Sequence, residues 1–408
     1  MLKKRILTFM LVLFAVLFTP LCVKESASAA TKPNYSGAKT AIIAAYKSYS
    51  TEVDVSKYNI NYKKNYKKLK KMMSEIVNNT PELFYTGTSY TVSRKKSNDM
   101  VVKIGLGYSS TYAKSSGAPK KGAIKKAKAK LDTAVSTAIG KLDSKMTKIE
   151  KALVLHDYIV STTAYNDKKA NTSRVKDYGA LVDHKANCQG YTIAYMLLLN
   201  KAGIKSKIIQ SEKMNHMWNK VKIGKYWLNV DVTFDDPVDA IKLADQYGVV
   251  KHDYFMLSDK KLKKGEHYGY SVGKLTSTTK YDKKYWQKVN SAFVRNDGKW
   301  LYISPSGVCE RETVLAKTFT LLYSAKIASF VRFKDNIYYY IDYKNNAIYK
   351  YTISDNSANL LWKCENYYKS PYALKQIKVS GNYIAYKVGN GTGYKTGKLA
   401  VESSGNLA

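Results

Sequence analysis

The spacing of apolar and polar positions divides the chain into stretches of different period. Between about residues 36 and 80, apolar residues recur three and four apart in "SGAKTAIIAAYKSY" and "NYKKLKKMMSEIVNN", the spacing of helices with one face on a core. "PELFYTGTSYTVSR" and "MVVKIGLGYS" then switch to aromatic and branched residues and predict strands. Residues 109–122, "SSTYAKSSGAPKKG", read as a linker. Helical spacing returns through "AIKKAKAKLDTAVSTAIGKLDS" and "MTKIEKALVLHDYIVSTTAY". Ser144 or Thr147 can cap the second of these helices, and Glu150 stands three residues after Thr147, as a capping box requires.

Two later elements frame the candidate chemistry. Tyr191, Ala194, Tyr195, Leu198, Leu199 and Ala202 recur at helical spacing, and Gly203 suits the stop. "NHMWNKVKIGKYWLNVDVTF" (215–234) predicts two strands joined by Gly224-Lys225, a two-residue loop with glycine first. That loop puts Ile223 opposite Tyr226, so paired positions sum to 449. After about 276, polar turns near Asp297, Asp335 and Gly381 each feed a tyrosine-rich alternating strand, which predicts repeated antiparallel β units. The fold class is α+β. The expected organisation is a signal peptide (1–29), an α+β leader region (30–122), a central domain (123–275) and a β-rich repeat domain (276–408).

Composition changes this picture in three ways. Lys3, Lys4 and Arg5 precede an apolar run from Ile6 to Leu21 and the small-residue site "ASA" at 27–29, so the chain is expected to be exported and cleaved. No later stretch is long and apolar enough to predict a stable membrane insertion. The formal charge is +37, of which residues 1–29 carry +3. Export argues against nucleic acid as the partner of the remaining charge, and an anionic cell-wall polymer is the expected one. Finally, Cys22 leaves with the signal, and Cys188, Cys309 and Cys364 remain. An odd number leaves at least one free thiol. Whether Cys309 and Cys364 pair is left open. There is no CxxC or HExxH, and the sequence predicts neither metal nor cofactor.

Cys188 sits at the first turn of the predicted 188–203 helix, where unpaired N–H groups and the helix dipole favour a thiolate. The hairpin register puts Trp218 opposite Asp231 and His216 diagonal to it on the same face. A one-residue slip would separate His216 from Asp231. Imidazole and carboxylate therefore meet, and Cys188 is the candidate nucleophile. His184 is a rival base, near Cys188 in sequence. His156 and Asp157 on a helix read as structural hydrogen-bonding groups, and Asp235 and Asp236 before Pro237 as turn formers.

The ordered blocks "HDYIVSTTAYN" (156–166), "CQGYTIAY" (188–195), "HMWNKV" (216–221) and "VDVTFDDP" (230–237) resemble the transglutaminase-like superfamily. The resemblance covers roughly 145–260. It implies a papain-like core with a Cys-His-Asp triad in that chain order: Cys188 as nucleophile, His216 as base and Asp231 as orienting carboxylate. Gln189 stands where an acidic residue is frequent in the family, and Thr192 where alanine is usual. Gln189, Trp218 and Trp227 are the candidates for the substrate cleft. The expected function is secreted, cysteine-dependent acyl transfer on protein or peptide amides at the cell envelope, as hydrolysis or as transglutaminase-type cross-linking. The alternative from a different class is a non-catalytic, basic cell-wall-binding module with a relic triad.

Overall fold

The computed structural model describes residues 32–400, apart from 169–171, 238–248, 305, 335–336, 343, 365–372, 381–382 and 390–393. The expected signal segment lies outside the described residues. The chain folds as mixed helices and antiparallel sheets. In the leader, α1 (Tyr35–Lys47) and α2 (Tyr62–Asn79) bury Ala38, Ile42 and Tyr46, and Leu69, Met73 and Ile76, at the spacings read from the sequence. They flank a sheet of order β1-β3-β2, formed by β1 (Glu52–Asp54), β2 (Thr86–Arg94) and β3 (Val101–Tyr108). The linker-like stretch 109–122 folds back on itself through an Ala113–Pro119 bridge before α3 (Lys121–Ile139).

The central region is built on α4, α5 and α6. α4 (Lys148–Thr162) starts at Thr147, and the capping box with Glu150 is present. α5 (Asp177–Leu181) follows, together with β4 (Ala164–Tyr165) and β5 (Lys185–Ala186), a short parallel pair. α6 (Cys188–Lys201) buries nine of its residues, from Gly190 to Leu199, as a helix apolar on several sides must. It stops at Gly203, whose φ of 72° lets Ile204 N–H reach back to Leu199 O at 2.8 Å. Against it lies a sheet of order β6-β7-β8-β9: β6 (Ser206–Ser211), β7 (His216–Ile223), β8 (Tyr226–Val230) and β9 (Phe255–Leu257). The β7–β8 register runs from Ile223–Tyr226 to Asn219–Val230, so the paired positions sum to 449 as expected.

Three antiparallel sheets follow. The first holds β10 (Val294–Asn296), β11 (Lys299–Ser304), β12 (Gly307–Arg311) and β13 (Thr320–Ser324). The second holds β14 (Ile327–Lys334), β15 (Ile337–Asp342), β16 (Ala347–Thr352) and β17 (Ser357–Lys363). The third holds β18 (Ala373–Ser380), β19 (Tyr383–Gly389) and β20 (Tyr394–Ala400). In each, two residues join the first strand to the second. At the first of these turns Asp297 and Gly298 have φ values of 47° and 82°, the left-handed pair a tight hairpin demands. The other two turns, with Asp335 and Gly381, lie outside the described residues.

One hydrophobic cluster runs from Ala38 through α6 to Trp300, Cys309 and Val314. Packing is therefore continuous across residues 122 and 275, where domain boundaries were expected. Cys188, Cys309 and Cys364 are all free thiols, so Cys309 and Cys364 are not paired. No helix among the described residues is long and apolar enough to cross a membrane.

Candidate active site

Asn187 caps α6, its Oδ1 accepting from Gln189 N–H at 3.2 Å and Gly190 N–H at 3.4 Å. The cap takes two of the first-turn N–H donors that were expected to favour the thiolate. Cys188 follows at the first helical position and is half-buried. Gly190 is required there: a Cβ on it would stand 2.3 Å from Arg174 O and 2.8 Å from the Ala186 side chain. The close approach lets Asn187 N–H donate to Arg174 O at 3.0 Å. Thr192, the departure from the family pattern, stitches α6 to β7. Its hydroxyl donates to Met217 O at 3.0 Å, and its carbonyl accepts from Asn219 Nδ2 at 3.1 Å.

His216 opens β7 and is held between two partners. Its Nε2 lies 2.6 Å from Asp231 Oδ2, which leaves Nδ1 for the thiol of Cys188, a neighbour close enough to raise the ring's pKa. Burial pushes the imidazole pKa down, but the charge and hydrogen bond of Asp231, aided by Cys188, outweigh it and raise the pKa to about 10. Asp231 is fully buried. Burial works to raise its carboxyl, but His216 and the histidine bonds to it prevail and hold it at about 2. Its Oδ1 accepts from Thr233 N–H at 3.1 Å and Phe234 N–H at 3.2 Å. The hairpin register thus brings together the three residues nominated from sequence.

The sequence missed a fourth group. His267 Nε2 lies 2.8 Å from the same Asp231 Oδ2, and His267 is fully buried. It comes from a polar loop without periodicity, so no pattern pointed to it. One compositional signal did exist: all five histidines of the chain fall between 156 and 267.

The other nominated residues divide. Trp218 is 1 % exposed, stacks beside His216 at 5.9 Å and donates from Nε1 to Asn229 Oδ1 at 3.1 Å, so it shields the His216 ring. Trp227 lies near the far end of the hairpin, with Lys207 and Lys222 over its ring, and the structure does not bring it to the site. Gln189 donates to Asn78 O at 2.9 Å and lines a cavity of about 1060 Å³ together with Met217 and the end of α2. A second cavity, about 460 Å³, is lined by Tyr165, His216, Phe234, Tyr254 and Glu266. His184, the rival base, is exposed on a left-handed turn with φ 54°.

Beneath the site lies a buried quartet. His156 Nδ1 meets Asp157 Oδ1 at 2.8 Å and its Nε2 meets Asp235 Oδ2 at 3.1 Å. His252 Nε2 meets Asp157 Oδ1 at 2.9 Å and its Nδ1 donates to Val289 O at 3.0 Å. Asp157 Oδ2 accepts from Phe293 N–H at 2.7 Å. Burial alone would lower the His156 pKa, but its two carboxylate partners raise it to about 9. Asp236 instead bonds the Tyr191 hydroxyl of α6. His156, Asp157 and His252, like His216, Asp231 and His267, are spaced closely enough to hold a metal ion. In both groups, however, the ring nitrogens facing the carboxylates already hydrogen-bond to them, so an ion would have to displace those protons.

Sequence comparison agrees with this geometry. Residues 135–232 match the sequence model of the Transglutaminase-like superfamily. No curated protein matches the chain. Among solved structures, one described as a TGase is 16% identical, with a TM-score of 0.24, over 36% of this chain and 44% of its own. A chain from Cytophaga hutchinsonii described as a "Putative Cysteine Protease" is 12% identical, with a TM-score of 0.22, over 36% of this chain and 61% of its own. This chain thus spans less than two thirds of either. At these scores the two likenesses add nothing to the family match.

Proposed function

We propose that this chain, which belongs through residues 135–232 to the transglutaminase-like superfamily, is an exported enzyme of cysteine-dependent acyl transfer on protein or peptide amides. The observation that carries the proposal is His216 held between Cys188 and a buried, ionised Asp231. An isolated pair on a sheet would need no cysteine, and a structural cysteine would need no imidazole.

The reaction follows from that order. His216 takes the Cys188 proton, and the thiolate attacks the amide carbon. Negative charge develops on the carbonyl oxygen, and the Cys188 backbone N–H, which the Asn187 side chain does not take, is a donor left to meet it. His216 returns the proton to the leaving nitrogen as the C–N bond breaks, and a thioester remains. Water or an amine then attacks the thioester, with His216 again taking the proton, and the thiol is released. Asp231 fixes the ring tautomer and stabilises its charged form throughout. The cavity beside His216 adjoins exposed Asp253 and Glu266, so water reaches the thioester and hydrolysis is its default fate. A lysine amine bound there would divert it to a cross-link. The net positive charge supports a second role outside the cell, retention on an anionic wall polymer by salt-sensitive attraction.

Two measurements test the proposal. Iodoacetamide should alkylate Cys188 faster than Cys309 and Cys364 across pH 4–9, and His216→Ala should abolish the difference. Mass spectrometry of candidate substrates then separates new termini or deamidated glutamine from new isopeptide bonds. If Cys188→Ala alters neither wall binding nor any covalent product, the chain is the wall-binding module and not the enzyme.

A further inference from the structure

We infer that His267 is a positioning residue of this site, which clamps Asp231 and limits how firmly that carboxylate holds the proton on His216. The inference rests on the acyl-transfer reading of Cys188, His216 and Asp231.

The loop that carries His267 is otherwise wet. Lys263, Lys264, Gly265, Glu266, Tyr268 and Gly269 are exposed, whereas His267 is buried completely. The loop is fastened on its far side, where Ser211 Oγ donates to Tyr268 O at 2.7 Å and Tyr268 N–H meets Met214 Sδ at 3.2 Å. The imidazole then inserts among aromatic rings, with Phe234, Trp218 and Tyr254 at 4.7, 4.8 and 5.1 Å between centroids. An apolar ring would fill that space at less cost. His267 Nδ1 has no hydrogen-bond partner among the described residues, and burying it unsatisfied is unfavourable. What the polar ring gains in return is the bond from Nε2 to Asp231. A hydrogen on Nδ1 would have no acceptor, so the geometry assigns the hydrogen to Nε2.

The consequence lies in the sharing. Asp231 Oδ2 accepts from two imidazoles, at 2.6 and 2.8 Å, and Oδ1 from two backbone N–H groups. An oxygen divided between two donors binds each less strongly than it would bind one. His267 thereby keeps the carboxylate charged and fixed in orientation. It also leaves the His216 proton transferable to a leaving nitrogen. The other titratable groups facing the trio are Tyr165 from β4, Cys188 from α6, Asp236, Lys251, Asp253 and Tyr254 from the segment after β8, and Glu266 beside His267.

The test compares the wild-type chain with His267→Phe, which fills the ring volume without a donor, and His267→Gln, whose amide N–H reaches a similar point. Long-range proton–nitrogen NMR resolves five histidines and reads both the tautomers and the His216 titration. In parallel, hydrolysis of the acetyl-Cys188 formed from p-nitrophenyl acetate is followed against pH, because it needs His216 as a base. We expect the His267 hydrogen on Nε2 in the wild type. In His267→Phe, the His216 midpoint and the alkaline limb of deacylation should both move up by about one pH unit. His267→Gln should restore both. A wild-type His267 protonated on Nδ1 overturns the inference without any variant. So does an unmoved His216 midpoint in the phenylalanine variant, or a glutamine variant no nearer the wild type. If the NMR shifts appear as expected but no variant, nor the wild type, forms acetyl-Cys188, the positioning role stands and the acyl-transfer reading falls.

Discussion

Replacing Asp231 by asparagine tests the site where its logic is most exposed. The change is isosteric, and asparagine Oδ1 can still accept from Thr233 and Phe234, so the turn after β8 keeps its backbone bonds. At the other position an amide NH₂ now faces two ring nitrogens that were donating to it. His216 must present Nε2 as an acceptor and carry its hydrogen on Nδ1, pointing at Cys188. In that tautomer it cannot take the thiol proton. The charge is lost as well. His216 is held at about 10 chiefly by Asp231 working against burial. Without the carboxylate, burial prevails, and a fall of at least about two units in the imidazole pKa follows, or about 3 kcal/mol. Proton transfer from Cys188 to His216 then becomes unfavourable by the same amount, and the reactive ion pair drops roughly a hundredfold. The assay is the iodoacetamide rate at Cys188 between pH 5 and 8, read by peptide mass, with buried Cys309 as internal reference and thermal melting to confirm the fold. A rate within about threefold of the wild type, in a folded variant, would refute the claim that Asp231 sustains the imidazolium.

Three further outcomes follow from the same structure. Gly190→Ala should leave a soluble protein with Cys188 alkylation slowed at least about tenfold, because the methyl would push the start of α6 away from Arg174 and Ala186; an unchanged rate would mean that the close packing at 2.3 Å is not needed. Asp259→Ala strips fully buried Lys220 of its carboxylate at 2.6 Å and should cost about 3 kcal/mol in denaturant unfolding, with Lys220→Met/Asp259→Leu costing clearly less. For His156 the folded pKa, about 9, lies above the unfolded 6.5, so its contribution is complete below about pH 6.5 and is lost as pH rises through about 9. The stability gap between wild type and His156→Gln should therefore be widest on the acid side and close above pH 9, as melting temperature against pH would record.

Much of this architecture is legible in the residues themselves. The hairpin could be registered in advance because a two-residue loop with glycine first fixes which residues face one another, and His216 and Asp231 then share a face. The Thr147–Glu150 box and the Gly203 stop were readable for the same reason, since each is a local bonding problem with few solutions. The polar turns at Asp297, Asp335 and Gly381 announced the antiparallel sheets. His267 was not legible, because it reaches Asp231 from a loop 36 residues further on, in a stretch whose composition suggests only solvent. Trp227 shares the hairpin face of His216, but the same register pairs it with Lys222, six residues along β7 from His216 and too far away to wall the site. The tie between Asp157 and Phe293 spans 136 residues and follows from no local pattern either.

That tie sets the size of the smallest autonomous piece of this protein. His252 and Asp157 are satisfied in part by the Val289 carbonyl and the Phe293 amide, beyond the end of the family match at 232 and of the central region at 275. Cutting the chain at 275 would strip two buried polar side chains of backbone partners at once. The transglutaminase-like core is therefore not a detachable cassette here. A gene fusion, a proteolytic trim or a crystallisation fragment would have to carry the chain at least through the first C-terminal sheet to keep the region around Cys188, His216 and Asp231 folded.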